Sequence, residues 1–197
     1  MKRLGPYQFT VASTSDQLEQ VYRLNYATFV SELGQHDADG SGRLVDKFDR
    51  KNTYLIGLRD GRVVAMVTVH GEPPFSTARR LADQSVLESI DGRILEVRLL
   101  AISPEERQRV VFAGLLWHVQ EYAAEKGYTH LLISGYVKRV DIYERLGFRA
   151  LGPPVRSGNV EYVPMIVALA EMPARIRREI EVMRRHFRRA ERDTGLG

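Results

Sequence analysis

The junction at Ser103 constrains the fold of this chain more than any other feature. Before it, residues 94–102 (ILEVRLLAI) form a mostly apolar run, which is typical of a strand buried within a sheet. After it, Pro104 and Glu106 stand at the spacing of a first-turn proline and a capping box, with Ser103 as the cap. The sequence therefore predicts a central strand that leads directly into a helix reaching about Lys126.

Alternating and periodic segments surround this junction. Residues 7–13 alternate as a strand does, and apolar residues within 18–33 recur at helical spacing behind a capping-box pair, Asp16 and Glu19. This order of elements predicts an α/β fold with a mixed sheet, not a doubly wound parallel one. The further predicted elements are a hairpin turning at Asp60-Gly61, a strand over 129–137, a short helix over 142–147, a strand over 162–170 and a terminal helix from Pro173.

The chain of 197 residues has the size of one ordinary domain and is long enough to bury a core. No internal repeat, low-complexity stretch or linker interrupts it. We therefore expect one domain over residues 1–172. Residues 173–197 are expected to form a basic amphipathic helix that packs on this domain or extends it.

The excess positive charge of the chain lies in its last segment. Residues 173–197 hold eight arginines and four acidic residues, which accounts for the whole net charge of +4. Apolar residues recur at helical spacing along one side of this segment, and arginines occupy the other side. The sequence therefore predicts a helix with one packed face and one basic face.

Several classes of chemistry lack the residues they need. The chain has no cysteine, which excludes disulfides, thiolate metal sites and a cysteine nucleophile. Its five histidines show no metal-ligand spacing, so no metal is expected, and no G-x-S-x-G element supports a serine acyl-enzyme. With no signal-peptide pattern and no apolar run near the ~20 residues of a membrane span, we expect a cytoplasmic location.

Two segments carry a resemblance to a known superfamily. LAISPEERQRVVFAGLLWHV, residues 100–119, resembles the central motif of the GNAT acyltransferases, and IYERLGFRALG, residues 142–152, resembles their Y-x-k-x-G-F element. The resemblance implies a GNAT-like (acyl-CoA N-acyltransferase) mixed sheet flanked by helices. It also implies transfer of an acyl group from a phosphopantetheine thioester directly to an amine.

The start of the long helix is the expected phosphate site. Unpaired N–H groups and a partial positive charge at a helix N-terminus hold a phosphate, and Arg107 and Arg109 add charge-assisted contacts. The backbone before it is expected to pair with the amides of the pantetheine arm as another strand would. The residues of this predicted backbone contact are Leu99, Leu100, Ala101 and Ile102.

Val110 and Phe112 depart from the superfamily motif. With Arg107 aligned on the first basic residue of the motif, they stand where the superfamily has glycines, which let a diphosphate approach the backbone. Side chains there crowd a diphosphate, so the departure favours a donor with a single phosphate, phosphopantetheine on an acyl carrier protein. Coenzyme A is the second choice, and no permanently bound cofactor is expected.

The N-terminal part resembles a narrower group. YRLNYATFVSELG and VDKFDRKNTYLIG, within residues 22–57, are similar to the acyl-homoserine lactone synthases. They are closer still to the long-chain N-acyl amino acid synthases, such as the N-acyltyrosine synthases known from environmental bacterial DNA. The resemblance implies a long acyl chain, a carrier-protein donor and an amino acid acceptor, with tyrosine suggested. The residues that match the family pattern are Arg23, Phe29, Asp46, Asp49, Glu96 and Arg98.

One element of that pattern is missing. The hairpin strand is expected to carry a further arginine, but Thr68, Val69 and His70 stand there instead. Lactone-forming chemistry is therefore not expected of this chain.

Glu96 and Arg98 have the chemistry that an amino acid acceptor needs. An α-amine is mostly protonated at pH 7, so a base, or a water held by one, must take a proton before the amine attacks. Glu96 is the candidate general base, and strand alternation places Arg98 on the same face as a candidate carboxylate-binding group. The alternative is a structural ion pair between the two residues.

Three further residues have both a functional and a structural interpretation. Tyr143 matches the position at which many GNAT enzymes place a general acid for the leaving thiolate, or it packs with its hydroxyl satisfied. Asp46 and Asp49 line the entrance for the amino acid, or they fix the loop by pairing with Arg23. For the two aspartates the structural interpretation is favoured.

The basic face of the terminal segment is a candidate docking surface. Acyl carrier proteins are acidic, so a row of arginines would steer their encounter with the enzyme. The alternatives are a solvated face and a nucleic-acid patch, which lacks the interleaved aromatic residues that stack bases. The arginines proposed for this contact are Arg177, Arg178, Arg184, Arg185 and Arg188, with Arg107 and Arg109.

Together these features predict an enzyme, a long-chain N-acyl amino acid synthase that transfers a fatty acyl group from acyl carrier protein to an α-amine. The first alternative is an acetyl- or acyl-coenzyme A-dependent N-acetyltransferase that acts on a small amine or a protein. The second alternative is a non-catalytic module that binds an acyl thioester or nucleic acid.

Overall fold

The structure, a computed structural model, describes residues 2–194 and the side chains of residues 3–185. A π-helical segment, Tyr26–Glu32, continues the first α-helix. The strands are β1 (Lys2–Leu4), β2 (Tyr7–Val11), β3 (Thr53–Arg59), β4 (Arg62–His70), β5 (Ile94–Ile102), β6 (His130–Tyr136), β7 (Arg149–Ala150), β8 (Val155–Ser157) and β9 (Val160–Ala168). The α-helices are α1 (Ser15–Asn25), α2 (Ser85–Glu88), α3 (Arg109–Glu125), α4 (Val140–Arg145) and α5 (Ala174–Thr194).

The described residues form two compact units. The first unit comprises the chain up to Val69, residues 99–120 and α5 from Arg178; the second comprises residues 70–98 and 121–177. In the first unit, β1 to β4 pair in sequence order, each antiparallel to the next. In the second, β5 runs parallel to β6, whereas β6, β7 and β8 each pair antiparallel with β9. The predicted mixed sheet is confirmed, and the predicted boundary at residue 173 stays a prediction.

The helical segment after β2 packs its apolar side on the strands of the first unit. α1 and the π-helical segment bury Val21, Leu24 and Phe29 in a cluster that includes Ile56 and Met66. Each such side chain contributes about 1.5–3 kcal/mol through burial. The helical spacing of these residues therefore predicted the packed face correctly.

The cap of α1 lies two residues before the predicted one. Thr14 accepts a hydrogen bond from the Gln17 N–H at 3.2 Å, and the Gln17 side chain accepts one from the Thr14 backbone. Asp16 instead accepts from the side chain of Gln20, and Glu19 pairs with an arginine one turn later. The predicted capping box is wrong because both of its acidic members bond along the helix surface.

The β3–β4 hairpin turns at the predicted pair. Asp60 and Gly61 have φ values of 50° and 79°, the left-handed region that a two-residue hairpin turn requires at both positions. Aspartate and glycine are among the residues that tolerate this conformation, so this local signal was sufficient.

The junction between β5 and α3 differs from the prediction. β5 has the predicted bounds, but a short 3-10 turn follows it and α3 begins only at Arg109. The Ser103 side chain makes no capping hydrogen bond. Glu106 accepts a hydrogen bond from the Tyr7 hydroxyl at 2.5 Å and pairs with Arg59 at 2.6 Å. The predicted capping box is wrong because Glu106 bonds to distant strands instead of its own turn.

Gly114 lets α3 lie close to β2. A Cβ at this position would stand 2.1 Å from the ring of Phe9, which is fully buried. A side chain there would force the ring or the helix to move, and such overpacking is destabilising. The absence of a side chain at Gly114 therefore fixes how closely the helix approaches the strand.

The second unit is built around β5, β6 and β9. Its core includes Ile94, Leu132 and Ile166, onto which Phe75 and Ala78 pack from the segment after β4. The predicted strands over 129–137 and 162–170 and the predicted short helix are confirmed, with end residues that differ slightly.

The terminal helix begins directly after Pro173, as predicted. Ile176 is buried, and Ile180 and Met183 are half-buried, so the side predicted to pack is covered where it is described. The side chain of Arg188 lies outside the described residues. Over the described residues, no helix combines the length and the apolar character that a membrane crossing requires.

Candidate active site

Glu96 lies near the middle of β5 with its side chain fully buried. One carboxylate oxygen accepts hydrogen bonds from the His70 ring Nε2 at 2.7 Å and from the Ser76 N–H at 2.8 Å. The other accepts from the Ser76 hydroxyl at 2.9 Å and from the Thr77 N–H at 2.7 Å. Both oxygens are therefore occupied, and Glu96 anchors the turn formed by residues 76–80.

These contacts set the protonation state of Glu96. Burial by itself raises its pKa, but the hydrogen bonds from His70, Thr77 and Ser76 outweigh burial and lower the pKa to about 2. A carboxylate that holds a proton so weakly is a poor acceptor for the proton of an ammonium group near neutral pH. The geometry therefore favours a positioning role for Glu96 over the predicted role of general base.

His70, at the end of β4, is the buried partner of this carboxylate. Its Nδ1 lies 3.1 Å from the backbone oxygen of Glu72, and its Nε2 faces Glu96. Each contact is a hydrogen bond only when the nitrogen carries a hydrogen, because both partners are acceptors. Neither nitrogen is therefore placed to take a proton from a substrate.

Arg98 lies beside Glu96, where strand alternation predicts it. Its Nε stands 4.0 Å from a carboxylate oxygen of Glu96, and its side chain is only 12% exposed. A largely desolvated guanidinium interacts more strongly with an anion than an exposed one does. Its role in binding substrate stays a prediction.

The described ladder between the parallel strands β5 and β6 lies within the second unit. It begins with Ile94 opposite His130 and its last pair is Glu96 opposite Leu132. Arg98 follows two residues after this last described pair.

The predicted acyl-arm segment of β5 begins with a kink. Leu99 has a φ of 49°, a conformation that is rare for leucine and that bends a strand locally. After it, Ala101 and Ile102 are buried, whereas Leu100 is 36% exposed. Non-glycine residues in this region cluster at ligand-binding sites. The contact of Leu99, Leu100, Ala101 and Ile102 with the donor stays a prediction.

Tyr143, in α4, packs its ring against β6. A Cβ at Gly135 would stand 2.9 Å from this ring, so the glycine makes room for it, and Phe148 contacts it edge-on. Burial raises the pKa of Tyr143, and a backbone hydrogen bond from Tyr136 partly opposes this. The hydroxyl therefore keeps its proton at neutral pH, as a general acid must, and that role stays a prediction.

Arg107 has a different role from the predicted one. Its two terminal nitrogens donate to the carboxylate of Glu32, one of them at 2.7 Å, and its Nε donates to the backbone oxygen of Ile102 at 3.1 Å. A guanidinium used in this way fixes the end of β5 against the π-helical segment. The geometry therefore favours this structural role of Arg107 over its predicted contact with a phosphate.

The other residues at the start of α3 differ in exposure. Arg109 is 91% exposed, with Glu179 at 3.7 Å, so it keeps the capacity to meet a phosphate. Val110 and Phe112 are half-buried, and Val110 lines a shallow pocket of about 340 Å³ next to Tyr7. Side chains therefore occupy the first turn of this helix, where the superfamily motif has glycine.

Arg23 and Phe29 lie in different surroundings. Arg23 is exposed and pairs with Glu19 one helical turn earlier at 2.8 Å. Phe29 is buried in the core of the first unit. The structure gives the first a surface ion pair and the second a packing role, and their predicted contact with substrate stays a prediction.

Asp46 and Asp49 hold the loop before β3. Asp46 accepts hydrogen bonds from the Phe48 N–H at 2.9 Å and from the Asn52 side chain at 3.0 Å. Asp49 accepts from the hydroxyls of Tyr22 at 3.0 Å and Tyr54 at 2.6 Å. The loop is thus fixed by amide and hydroxyl donors, and the expected pairing with Arg23 is wrong because that arginine bonds within its own helix.

The sequence pattern did not identify the residues that surround Glu96. Ser76, Thr77 and Arg80 belong to a stretch without periodicity, over residues 71–93, in which no strand or long helix forms. In the sequence, His70 stands out as one of the residues that replace an expected arginine. Serine and threonine favour turns, so the adjacent Ser76 and Thr77 are a local signal for a turn at this place in the chain.

Comparisons with solved structures agree on the fold. A coenzyme A-dependent acyl-homoserine lactone synthase, BjaI, solved with S-adenosylmethionine and isopentyl-coenzyme A, superimposes with a TM-score of 0.73 at 19% identity over 92% of this chain and 89% of that chain. FeeM, an N-acyl amino acid synthase from uncultured soil microbes, gives 0.68 at 16% identity over 84% and 91%. The acyl-homoserine lactone synthase LasI gives 0.63 at 16% over 83% and 89%. A comparison with curated protein sequences returned no match.

This mixed sheet with helices on it is the fold of the GNAT-like acyltransferases. The sequence matches the family model of the N-acyl amino acid synthase FeeM over residues 20–171. The chain belongs to this family and is an N-acyltransferase. The predicted fold and the predicted resemblance are confirmed.

Proposed function

We propose that this enzyme is a long-chain N-acyl amino acid synthase that takes a fatty acyl group from acyl carrier protein and acylates the α-amine of an amino acid, with tyrosine as the first acceptor to test. The observation that carries the proposal is the largely buried guanidinium of Arg98 beside Glu96 on β5, directly before the kink at Leu99. There a cationic side chain suits an acceptor carboxylate, and the bent backbone that follows suits the amides of a pantetheine arm. Membership of the FeeM family supports the same reaction.

The proposed chemistry is direct transfer. The neutral amine attacks the carbonyl carbon of the thioester, and the nitrogen of the tetrahedral intermediate loses one proton to solvent. The intermediate then collapses, and the C–S bond breaks as the amide forms. The departing thiolate takes a proton from the Tyr143 hydroxyl, whose raised pKa keeps it protonated until then. Glu96 takes no part in proton transfer and fixes the turn over residues 76–80 through its hydrogen bonds.

The start of α3 supports a carrier-protein donor over coenzyme A. A diphosphate needs close approach to backbone and several cations, whereas Val110 and Phe112 place side chains in the first turn. Arg107 is committed to Glu32, which leaves the exposed Arg109 for a phosphate. One arginine and a helix N-terminus suit the single phosphate of carrier-bound phosphopantetheine.

The donor and the acceptor are tested together in one assay. The purified enzyme is mixed with a long-chain acyl carrier protein thioester, the matching acyl-coenzyme A or acetyl-coenzyme A, each with the twenty amino acids, and products are read by mass spectrometry. We expect N-acyl amino acids from the carrier thioester, with kcat/KM at least about 10-fold above that of either coenzyme A donor, a difference of ~1.4 kcal/mol. Turnover with acetyl-coenzyme A alone would contradict the proposal.

The basic helix α5 supports the same donor as a docking surface. Arg177, Arg178 and Arg185 are exposed, and Glu181 pairs with Arg184 at 3.3 Å and with Arg185 at 3.4 Å. The exposed arginines therefore keep a positive surface even after this internal pairing. Such a surface raises the rate of encounter with an acidic carrier at low salt.

The charge-reversal variant R177E/R178E tests this surface. We expect the KM for the acyl carrier protein thioester to rise by about 10-fold and its salt dependence to flatten, because long-range attraction is lost. The KM for the same acyl group on free pantetheine should not change, since that donor has no carrier. R149E/R156E carries the same charge change on the exposed β7 and β8 positions and is the matched control. Equal KM values for the two variants would show that the arginines of α5 do not form a docking surface for the carrier protein.

A further inference from the structure

Arg80 has a guanidinium whose hydrogen-bond donors are not all satisfied within the described residues. The group lies over the ring of Tyr162, 4.8 Å from its centre, and one terminal nitrogen donates to the backbone oxygen of Ser76 at 3.3 Å. Its Nε is buried and has no hydrogen-bond partner among the residues that the structure describes. Since a guanidinium carries five N–H donors and a buried unpaired donor is costly, the group is suited to an acceptor from outside the protein.

The turn that carries Arg80 is held in place at its start. Both the Ser76 and Thr77 N–H groups bond to the buried carboxylate of Glu96. The Thr77 hydroxyl bonds to that of Ser134 on β6 at 2.8 Å. Arg80 follows within one turn of these anchors, and Tyr162 stacks on its head group. The guanidinium is therefore positioned before any ligand arrives, which lowers the entropy cost of binding.

The charge of Arg98 acts on Arg80. Glu96 is a carboxylate near both arginines, and its oxygens already accept four hydrogen bonds. Burial is the main cause that lowers the pKa of Arg80; the charge on Arg98 lowers it further, while Tyr162 and Glu96 raise it. An anion bound at Arg80 offsets both the burial of its charge and the repulsion from Arg98.

We propose that Arg80 acts with Arg98 as the subsite for the α-carboxylate of the acceptor amino acid. The inference rests on the proposed function and adds the residue that makes the enzyme select amino acids over simple amines. A planar guanidinium binds a carboxylate through two parallel hydrogen bonds, and the stack on Tyr162 fixes the plane of Arg80. An amine without a carboxylate leaves this buried charge unpaired and is therefore rejected.

The variant R80Q tests the subsite with a pair of acceptors, an amino acid and its decarboxylated amine. We expect the wild type to favour the amino acid and R80Q to raise the KM for the amino acid by about 30-fold or more, because truncating one partner of a buried charge pair has an effect of this size. The kcat/KM for the decarboxylated amine should stay the same or rise, because that acceptor has no carboxylate contact to lose, and the KM for the acyl donor should not change. R79Q alters the exposed neighbouring arginine and is the matched control.

R80K is the second variant, and thermal unfolding of all variants verifies that they are folded. R80K keeps the positive charge but loses the planar guanidinium that donates two parallel hydrogen bonds. Its KM for the amino acid should therefore fall between those of the wild type and R80Q. An unchanged preference for the amino acid in folded R80Q would overturn the subsite and leave the proposed function intact. A wild type that acylates the decarboxylated amine but no amino acid would overturn the proposed function, and the subsite with it.

Discussion

Glu96→Gln is expected to lower the free energy of unfolding by about 3–5 kcal/mol, which is the usual effect of removing one partner of a buried ion pair. The same substitution is expected to abolish turnover. The carboxylate of Glu96 is fully buried and accepts four hydrogen bonds, two of them from the N–H groups of Ser76 and Thr77. The amide of the glutamine has only one oxygen, so its NH₂ group faces N–H or O–H donors that need an acceptor. Urea denaturation and the acyl-transfer assay measure the two effects. The exposed Glu88→Gln is the control and should stay within about 0.5 kcal/mol of the wild type.

Hydrogen exchange separates a positioning role from a catalytic one. If Glu96 holds the turn over residues 76–80, the amides of Ser76 and Thr77 exchange much faster in the glutamine variant, because their acceptor is weakened. A general base that has no structural role would leave exchange and stability unchanged while activity is lost. That second pattern would restore the assignment made from the sequence.

The pH dependence of stability gives an independent check on the same group. Because the pKa of Glu96 falls from its ordinary 4.5 to about 2 on folding, its contribution is present above about pH 4.5 and is lost as the pH falls toward 2. The shift corresponds to about 3 kcal/mol. The difference in unfolding free energy between wild type and Glu96→Gln should therefore shrink as the pH falls below 4.5. A difference that persists unchanged at pH 3 would contradict the assignment.

The elements that the sequence predicted well are those specified by neighbouring residues. The bounds of β5 follow from an apolar run, and the hairpin at Asp60 and Gly61 follows from two residues that tolerate a left-handed backbone. Both signals are complete within a few positions of the chain. The family resemblance added the acyltransferase fold, which local patterns alone do not specify.

The site residues were harder to predict because their partners are distant in sequence. Arg107 was expected to meet a phosphate, but it bonds to Glu32, 75 positions away. Glu106 was expected to cap a helix, but it bonds to Arg59, 47 positions away. A single sequence shows that these groups are charged and does not show which of them pair. The same limit kept Arg80 out of the predicted site.

Tyr143→Phe is expected to lower kcat by about 100-fold or more, the usual contribution of a positioned general acid. The substitution removes the hydroxyl and keeps the ring that packs against Gly135 and Phe148, so the fold around α4 should be preserved. Thermal unfolding of the variant checks this point. The KM for the amino acid should change little, because the hydroxyl is proposed to act on the leaving group and not on the acceptor.

The leaving group supplies the decisive comparison for Tyr143. An alkyl thiolate such as phosphopantetheine is basic and benefits from a proton as the C–S bond breaks, whereas an aryl thiolate departs without one. The defect of Tyr143→Phe should therefore be about 100-fold with an acyl-pantetheine donor and nearly absent with the thiophenyl ester of the same acid. An equal defect with both donors would show that Tyr143 acts through packing or orientation. It would leave the proton for the thiolate to be supplied by solvent.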